Sequence, residues 1–234
     1  MKKFLAVVAV AVALIGCNKE VQSDFTLSGT VKGLKKGTLY LQRYQDSTFV
    51  TLDSMVLNGA SNFELHSDLK EPEVLFFRLD KNDNDEGVIP FFADKGITEI
   101  NTTLKNFNFD AQIKGSKQQE LLEEYLKVMN RYNDQNLDII EAGFEAQQAK
   151  DSVAIDSLTL SSERLLKKKY SYTIQFAINH RESEIAPYLA VFEIPGANPV
   201  YIDSIYNSLS DTIKDSYYGK QLEEFIANRK NENQ

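Results

Sequence analysis

The sequence predicts an α+β protein, in which an N-terminal antiparallel β-sandwich or barrel of about eight strands precedes a C-terminal helical domain. Three observations carry this prediction. Apolar residues recur at every second position in short segments between residues 25 and 115, as in strands with one buried face. These segments follow one another at hairpin spacing, which leaves no room for the helical crossovers of a parallel sheet. After residue 115 the apolar period becomes about 3.6 residues, which is typical of amphipathic helices.

The start of the sequence has the pattern of a secretory export signal. Two lysines precede an unbroken apolar run, Phe4 to Ile15, and Gly16 and Cys17, the only cysteine, follow it. A charged start, an apolar middle and a small residue at the exit are typical of such a signal. As a helix the run would span roughly 18 Å, whereas a bilayer core of about 30 Å requires about 20 apolar residues. A permanent membrane-spanning helix is therefore disfavoured.

The end of this run, Leu14-Ile15-Gly16-Cys17, resembles the lipobox of bacterial lipoproteins. The resemblance implies cleavage before Cys17, transfer of diacylglycerol to its thiol and acylation of the new amino terminus. Such a chain is expected to incorporate labelled palmitate. We assign residues 1–16 to a lipoprotein signal peptide and residues 17–24 to the acylated cysteine and a polar tether. The expected location is the cell envelope, with the lipid in the outer membrane and the protein facing the periplasm or the surface. An ordinary signal peptide with an incidental cysteine is the alternative.

Turn residues divide the β-rich part into eight predicted strands, at 25–32, 38–45, 48–57, 61–66, 73–79, 88–93, 97–103 and 107–113. Asn58-Gly59 is the strongest short hairpin signal, and a second hairpin is predicted around Asp94-Lys95-Gly96. The run from Val74 to Phe77 is continuous rather than alternating, so we expect that strand to be central and covered on both faces. The inward residues of the last strand are expected to be Phe107, Phe109, Ala111 and Ile113.

Helical spacing after Gly115 predicts five helices, at about 117–150, 152–179, 184–193, 199–209 and 217–229. Ser116 can cap the first helix, with Gln119 three residues later, and Asp151 or Ser152 can cap the second. The apolar face of the first helix is expected to contain Leu121, Leu122, Tyr125, Leu126, Val128, Met129, Leu137, Ile140 and Phe144. The predicted domains are thus a β-sandwich domain, 25–115, and a helical domain, 116–230.

Composition restricts the classes of partner. The chain has 234 residues, of which 42% are hydrophobic, so it can bury a sizeable core. Its formal net charge of -8 becomes -10 when residues 1–16, with their two lysines, are removed. Affinity for nucleic acid comes from neutralising phosphates, so an acidic chain is poorly suited to that role. We expect attachment to the membrane through the N-terminal lipid, a partner among envelope proteins, and no nucleic-acid partner.

Five stretches along the chain carry a further resemblance: 25–31 (FTLSGTV), 37–41 (GTLYL), 53–63 with Asp53-Ser54 and Asn58-Gly59, 107–116 with its Lys114-Gly115-Ser116 end, and 217–222 (YYGKQL). Their order resembles that of lipid-anchored, thioredoxin-like proteins, the TlpA/ResA-like thiol-disulfide oxidoreductases that carry an N-terminal β-rich domain of unknown function. The similarity extends from about residue 25 to residue 229.

The resemblance stops short of the redox activity of that family. Full-length relatives carry a thioredoxin domain with a Cys-x-x-Cys pair, whereas Cys17 is the single cysteine of this sequence. What the resemblance implies is the accessory half of such a protein. We therefore expect a non-catalytic binding or scaffold module rather than an enzyme, with a thioredoxin-like oxidoreductase on a separate chain as one candidate partner. A glycan- or peptide-binding lipoprotein is the alternative.

The segment from Asp80 to Gly87 is the strongest candidate for a metal site. Its alternate residues offer the oxygen ligands of a calcium loop, at Asp80, Asn82, Asn84 and Glu86. A calcium loop needs glycine at its sixth position, which is Asp85 here, and the closing bidentate glutamate is missing. A solvated hairpin tip is the alternative, and no resident metal or cofactor is expected.

The other chemistry-bearing residues form no catalytic pattern. His66 and His180, the only histidines, lie in different predicted domains, and no Gly-x-Ser-x-Gly motif occurs. Lys167-Lys168-Lys169, followed by Tyr170 and Tyr172, is a basic aromatic patch that can bind an anionic partner or can simply be an exposed helix turn. The Phe- and Tyr-rich β-domain can present a sugar- or peptide-binding surface, although such residues more often form the core.

Overall fold

The computed structural model describes residues 23–80 and 86–232, which contain eight strands and six helices. The strands are β1 (Phe25–Lys32), β2 (Lys36–Gln45), β3 (Thr48–Asn58), β4 (Asn62–Ser67), β5 (Glu73–Asp80), β6 (Glu86–Ala93), β7 (Gly96–Thr103) and β8 (Gln112–Lys114). The helices are α1 (Lys117–Ala149), α2 (Ser152–Asn179), α3 (Ile185–Phe192), α4 (Pro199–Ser208), α5 (Asp211–Lys214) and α6 (Tyr217–Glu232). Strands followed by helices confirm the predicted α+β class.

The strands form two four-stranded sheets, and the barrel alternative is wrong. Their orders are β4-β1-β7-β8 and β3-β2-β5-β6. Both sheets contribute fully buried side chains to one core, including Leu27, Leu65 and Ile100 from the first and Leu41, Leu75 and Phe77 from the second. β5 lies between β2 and β6, as its continuous apolar run predicts. Within residues 23–80 and 86–232, no ladder joins an edge strand of one sheet to the other sheet, so the barrel is not closed.

The prediction of an all-antiparallel arrangement is wrong for one pair of strands. β1 and β7 run parallel, in a register that begins with Phe25 opposite Gly96. The chain between β1 and β7 forms the four strands of the second sheet and β4. These strands make the connection, so the parallel pair does not need the helical crossover that the prediction assumed. Gly29 permits the close approach of the two backbones, because a Cβ atom there would lie 1.9 Å from the carbonyl oxygen of Ile100.

Both predicted hairpins are also wrong. β3 and β4 belong to different sheets, as do β6 and β7, so the chain crosses the core at Asn58-Gly59 and again at Asp94-Lys95-Gly96. The glycines do supply left-handed turn conformations, with φ of 98° at Gly59 and 108° at Gly96. The tight hairpin lies instead between β2 and β3, where Asp46 and Ser47 have φ of 50° and 63°, as a two-residue type I′ turn requires.

The last strand is shorter than predicted. Only Gln112–Lys114 pairs with β7, and the preceding residues form turns. Phe107 is buried in the core between the sheets, whereas Phe109 is 93% exposed. The period-two pattern predicts that Phe107 and Phe109 both face the core. This pattern therefore does not distinguish the observed turn from a strand.

The helix starts follow the predicted capping chemistry. The Ser116 side chain accepts a hydrogen bond from the backbone N–H of Gln119 at 3.0 Å, and α1 begins at Lys117. The Asp151 carboxylate accepts from the N–H of Ala154 at 3.0 Å, and α2 begins at Ser152. The short α5 lies where the sequence predicts only a connecting turn.

The helices pack on the outer face of β5 and β6 through a cluster that we call the junction core: Phe92, Tyr125, Met129, Phe176, Ile185, Leu189 and Tyr218. Two hydrogen bonds fix this contact. The N–H of Val74 donates to the Tyr218 hydroxyl at 2.9 Å, and the N–H of Phe92 donates to Gln119 Oε1 at 2.8 Å. No helix of the part of the chain that the structure describes is long and apolar enough to cross a membrane.

Candidate functional site

The longest helices, α1 and α2, form an antiparallel hairpin with one continuous seam. Its half-buried and buried positions on α1 are Tyr125, Met129, Tyr132, Asn136, Ile139, Gly143 and Ala146. Those on α2 are Ile155, Leu158, Ser162, Leu165, Lys169, Tyr172 and Phe176. Both sets alternate steps of three and four residues, which is the heptad spacing of a coiled coil. Long helices can therefore stay paired beyond the body of the protein.

Large aromatic side chains fill the proximal end of this seam, which is part of the junction core. The Tyr125 ring lies 5.7 Å from that of Tyr172 and 5.5 Å from that of Phe176. The Tyr125 hydroxyl shares a hydrogen bond of 2.9 Å with Thr173 Oγ1. Burial raises the pKa of Tyr125, so this hydroxyl stays protonated beside Thr173.

A third core joins the C-terminal helices and includes Ala190, Ile202 and Leu222. The distal hairpin, residues 133–169, lies beyond this core, the core between the sheets and the junction core. None of its residues belongs to a core cluster of the described chain. On α1 it exposes Leu137 (63%), Ile140 (46%) and Phe144 (62%). These three residues lie at i, i+3 and i+7, so they form one stripe along one face of the helix. Further large apolar residues are exposed on α2 at Val153, Leu160 and Leu166.

This stripe corrects the expectation that Leu137, Ile140 and Phe144 continue the buried face of α1. Each lies one position after a seam residue, which rotates it by roughly 100° from the seam. The seam itself uses smaller or polar residues at these levels, Asn136 and Gly143 among them. Strict steps of three and four counted from Tyr125 would have found the seam from the sequence alone.

Charge is distributed unequally along the distal hairpin. The stripe is accompanied on α1 by four exposed acidic residues, Asp134, Asp138, Glu141 and Glu145, and no lysine or arginine lies between residues 132 and 149. The predicted basic patch lies on α2. Lys167 and Lys168 are exposed, while Lys169 is half-buried and donates to Asn133 Oδ1 at 3.0 Å. The stripe therefore lies beside a negative surface rather than a basic one.

A groove of about 730 Å³ lies between the edge of β6, the strand β8 and the first turns of α1. Its polar walls include Asn108, Gln112, Lys114, Glu123, Lys127 and Asn130. The apolar part is formed by Pro90, Ile113 and Leu126, with Val88, Ile89 and Ala111 nearby. This volume is in the range of roughly 300–1,000 Å³ that small-molecule sites occupy. No aromatic ring of the described residues lines the groove.

A polar network joins the start of α1 to the sheet and to α3. The Asp94 carboxylate accepts from Ser116 Oγ and from the N–H of Gln118, both at 3.0 Å. The Gln118 side chain in turn donates to Glu184 Oε2 at 2.7 Å and accepts from Ser183 Oγ at 2.7 Å. Desolvation of the Glu184 carboxyl, aided by the negative charges of Asp94 and Glu71, raises its pKa. These groups satisfy one another, which is the pattern of a structural network.

The motif residues that carry the family resemblance occupy structural positions. A Cβ atom at Gly115 would lie 2.2 Å from the carbonyl oxygen of Ile97, and one at Gly219 would lie 1.9 Å from that of Ile213. Tyr218 is buried and accepts the Val74 N–H, as described above. We infer that these motifs specify the fold, because glycine is required where two backbones meet.

Most of the site residues predicted from the sequence lie outside the described chain. Cys17 and the signal peptide lie outside it, as do Asn82 and Asn84 of the calcium candidate. Asp80 ends β5 and Glu86 begins β6, with the Glu86 side chain outside the described part. No group of three or more His, Cys, Asp or Glu side chains suited to a metal ion occurs in residues 23–80 and 86–232. The calcium site stays a prediction.

The two histidines contact different surroundings. His66 lies beside Thr26 Oγ1 and Glu64, whereas His180 packs on the Phe176 ring, with centroids 4.1 Å apart. The expected aromatic surface of the β-domain is limited. Tyr44 and Phe49 are about half exposed on the second sheet, and the Phe49 ring packs edge-on against Phe76. Most other aromatic rings of the sheets are core residues, as expected.

Comparison with known proteins adds one finding to this geometry. Residues 25–122 match the model of a family described as a domain of unknown function (DUF4369). The match spans β1 to β8 and the first turns of α1, including most of the groove. The distal hairpin and the later helices lie outside the matched segment. No curated protein and no solved structure matches the chain.

Proposed function

We propose that the chain is a non-catalytic binding or scaffold module of the cell envelope, tethered through lipid on Cys17. The observation that supports this most strongly is the distal hairpin, which carries an uncovered apolar stripe at Leu137, Ile140 and Phe144. Exposed apolar residues in a contiguous arrangement are characteristic of protein-binding surfaces. The junction core holds the base of the hairpin firmly, so the stripe is presented away from the sheets.

The proposed partner is a protein with an amphipathic helix. The stripe has the i, i+3, i+7 spacing at which one helix packs against another. Asp138 and Glu141 accompany it, so a partner helix with basic residues beside its apolar face fits best. The family resemblance makes a thioredoxin-like oxidoreductase on a separate chain the first candidate to examine.

Site-specific photocrosslinking tests the hairpin. In the full chain, expressed in its native cells, a benzophenone amino acid replaces Leu137. The matched control has the same benzophenone amino acid at Val200, an exposed valine of α4. We expect Leu137 to capture a discrete protein partner and Val200 not to capture it. Adding Ile140→Asp should reduce the yield about tenfold, since burying an unpaired carboxylate costs more than 1.4 kcal/mol. Equal capture at both positions, or capture that survives Ile140→Asp, contradicts the proposal.

The lipid anchor has a separate test. Cys17→Ala should abolish palmitate labelling and block cleavage of the signal, because the thiol is the acceptor of the diacylglycerol group whose acyl chains carry the label. Fractionation after a high-salt wash measures the outcome. If the Cys17→Ala chain still labels with palmitate and stays in the membrane fraction, the lipoprotein assignment is wrong.

The alternative function is capture of a glycan or peptide, and the groove beside α1 favours it. Its volume is suited to a small ligand, and its walls combine amide, charged and apolar groups. This function and the hairpin function use different surfaces, so one chain can perform both.

A further inference from the structure

The outer edge of β6 has an unusual distribution of hydrogen-bonding groups. In an antiparallel ladder the N–H and C=O of one residue point to the same side, and alternate residues point away from the partner strand. The backbone N–H and C=O groups of Val88, Pro90 and Phe92 therefore point away from β5 and toward the groove and α1. The N–H of Val88 donates to Asn108 Oδ1 at 3.0 Å, and that of Phe92 donates to Gln119 Oε1 at 2.8 Å. Pro90 has no N–H.

This edge consequently offers acceptors without donors. The carbonyl groups of Val88 and Pro90 face the groove, and no side chain of the described residues donates to them. An added β-strand needs both donors and acceptors in alternation. β6 cannot provide them, and β8, at three residues, is too short to replace it. A peptide bound as an added strand is therefore excluded from this groove.

The opposite walls supply what β6 lacks. Lys127 and Asn130 on α1 and Gln112 on β8 carry side-chain donors that are exposed at the groove. Glu123 is partly engaged, since it accepts from Gln119 Nε2 at 3.0 Å. Between the walls, Leu126 and other apolar side chains form a non-polar surface. A matching ligand must donate to one wall, accept from the other and cover apolar atoms.

Hydroxyl groups both donate and accept, and a sugar ring places them around a non-polar C–H face. We propose that the groove binds a short carbohydrate chain, whose hydroxyls donate to the carbonyls of Val88 and Pro90 and accept from Lys127, Asn130 and Gln112. This inference rests on the alternative function proposed above and chooses the glycan over the peptide. Two lysines against one glutamate favour a neutral or singly negative sugar.

Lysine footprinting on the full chain tests the proposal. The probes are maltotriose, cellotriose and chitotriose, with an acetylated and amidated alternating Thr-Val peptide as the strand-forming competitor. We expect a trisaccharide to suppress acetylation of Lys127 and Lys114, measured by mass spectrometry, in a saturable manner. Lys168 on the distal hairpin is the internal control and should keep its labelling.

Variants separate the two walls. Asn130→Ala should weaken trisaccharide binding about threefold to tenfold, the effect of one neutral hydrogen bond. Asn228→Ala, an exposed asparagine of α6, is the matched control and should not change it. Pro90→Ala keeps the carbonyl and adds an N–H, so trisaccharide binding should persist. Thermal unfolding of each variant checks that the fold is intact.

Two outcomes overturn the carbohydrate proposal. One is protection of Lys127 by the Thr-Val peptide but by none of the trisaccharides, and the other is no protection by any probe at millimolar concentration. Neither outcome affects photocrosslinking from Leu137, which lies on the other surface. Failure of this inference is thus distinguishable from failure of the scaffold function.

Discussion

The two ends of the α1–α2 hairpin share one seam and differ in what surrounds it. At the proximal end, Tyr125, Tyr172 and Phe176 pack between the helices and against the sheet. At the distal end, the seam positions include Asn136, Gly143 and Ser162, and apolar side chains such as Phe144 lie outside it. The proximal end buries its large aromatic residues, whereas the distal end buries Leu165 in the seam and exposes Phe144 outside it.

This difference separates two uses of apolar surface. Burying a large side chain stabilises the fold by about 1.5–3 kcal/mol, whereas the same side chain in water contributes little. Large residues at the proximal end therefore serve stability. At the distal end, α1 and α2 stay paired through a seam that mixes aliphatic residues such as Leu165 with small and polar ones such as Gly143. The exposed large side chains beside it remain available for a partner. The matched family segment ends at residue 122, before this distal part.

The largest expected effect comes from truncating one aromatic ring at each end. Tyr125→Ala should lower the free energy of unfolding by about 3–5 kcal/mol, because it removes a fully buried ring from the junction core. Phe144→Ala should change it by less than about 0.5 kcal/mol, because that ring is mostly exposed. Urea unfolding followed by helical circular dichroism measures both. Similar losses for the two variants would abolish the distinction between the ends.

A methyl group added to a glycine gives the next effect. Gly219→Ala should destabilise by about 2–3 kcal/mol, because the new Cβ atom would meet the Ile213 carbonyl oxygen at 1.9 Å. Gly143→Ala in the distal seam has no atom within 4 Å of the new Cβ and should stabilise α1 by about 0.5–1 kcal/mol. The midpoint of thermal unfolding should fall for Gly219→Ala and rise for Gly143→Ala. A loss for Gly143→Ala would mean that the distal seam is packed as tightly as the junction.

The smallest expected effect concerns pH. The pKa of Glu184 is raised in the folded chain above its usual value of 4.5. The folded state then holds this proton to higher pH than the unfolded state does, so the free energy of unfolding falls as pH rises from 4.5 through the raised pKa. Glu184→Gln should remove this part of the slope and keep the acceptor for Gln118. Urea midpoints from pH 4 to pH 7 measure it, with Glu141→Gln as the control for losing one distal carboxyl. An unchanged slope in Glu184→Gln would contradict the assignment.

Local sequence signals located the secondary structure well. The periods of two and 3.6 identified the strands and the long helices, and Ser116 and Asp151 marked helix starts within one residue. The strand predicted around Phe109 is wrong, because alternation over a few residues also occurs in turns. The calcium candidate and the anchor at Cys17 remain predictions.

Strand pairing was not predictable from these signals. Asn58-Gly59 has the chemistry of a hairpin turn and the conformation that such a turn needs, yet the chain leaves its sheet there. A turn fixes a change of direction, whereas the pairing of β1 with β7 depends on burial across residues far apart in sequence. The acceptor-only edge of β6 was not predictable from the sequence either, because it requires Asn108, Gln119 and Pro90 to lie along one strand edge.

Local sequence patterns thus define most elements of this protein: which of the longer segments are strands, which are helices, and where capped helices begin. Periodicity and capping act between residues a few positions apart, so they are readable without a fold. The parallel pair of strands, the groove and the acceptor-only edge of β6, in contrast, follow only from the tertiary structure. These depend on which surfaces meet and exclude water, and that choice is made by the sum of long-range contacts over the whole chain.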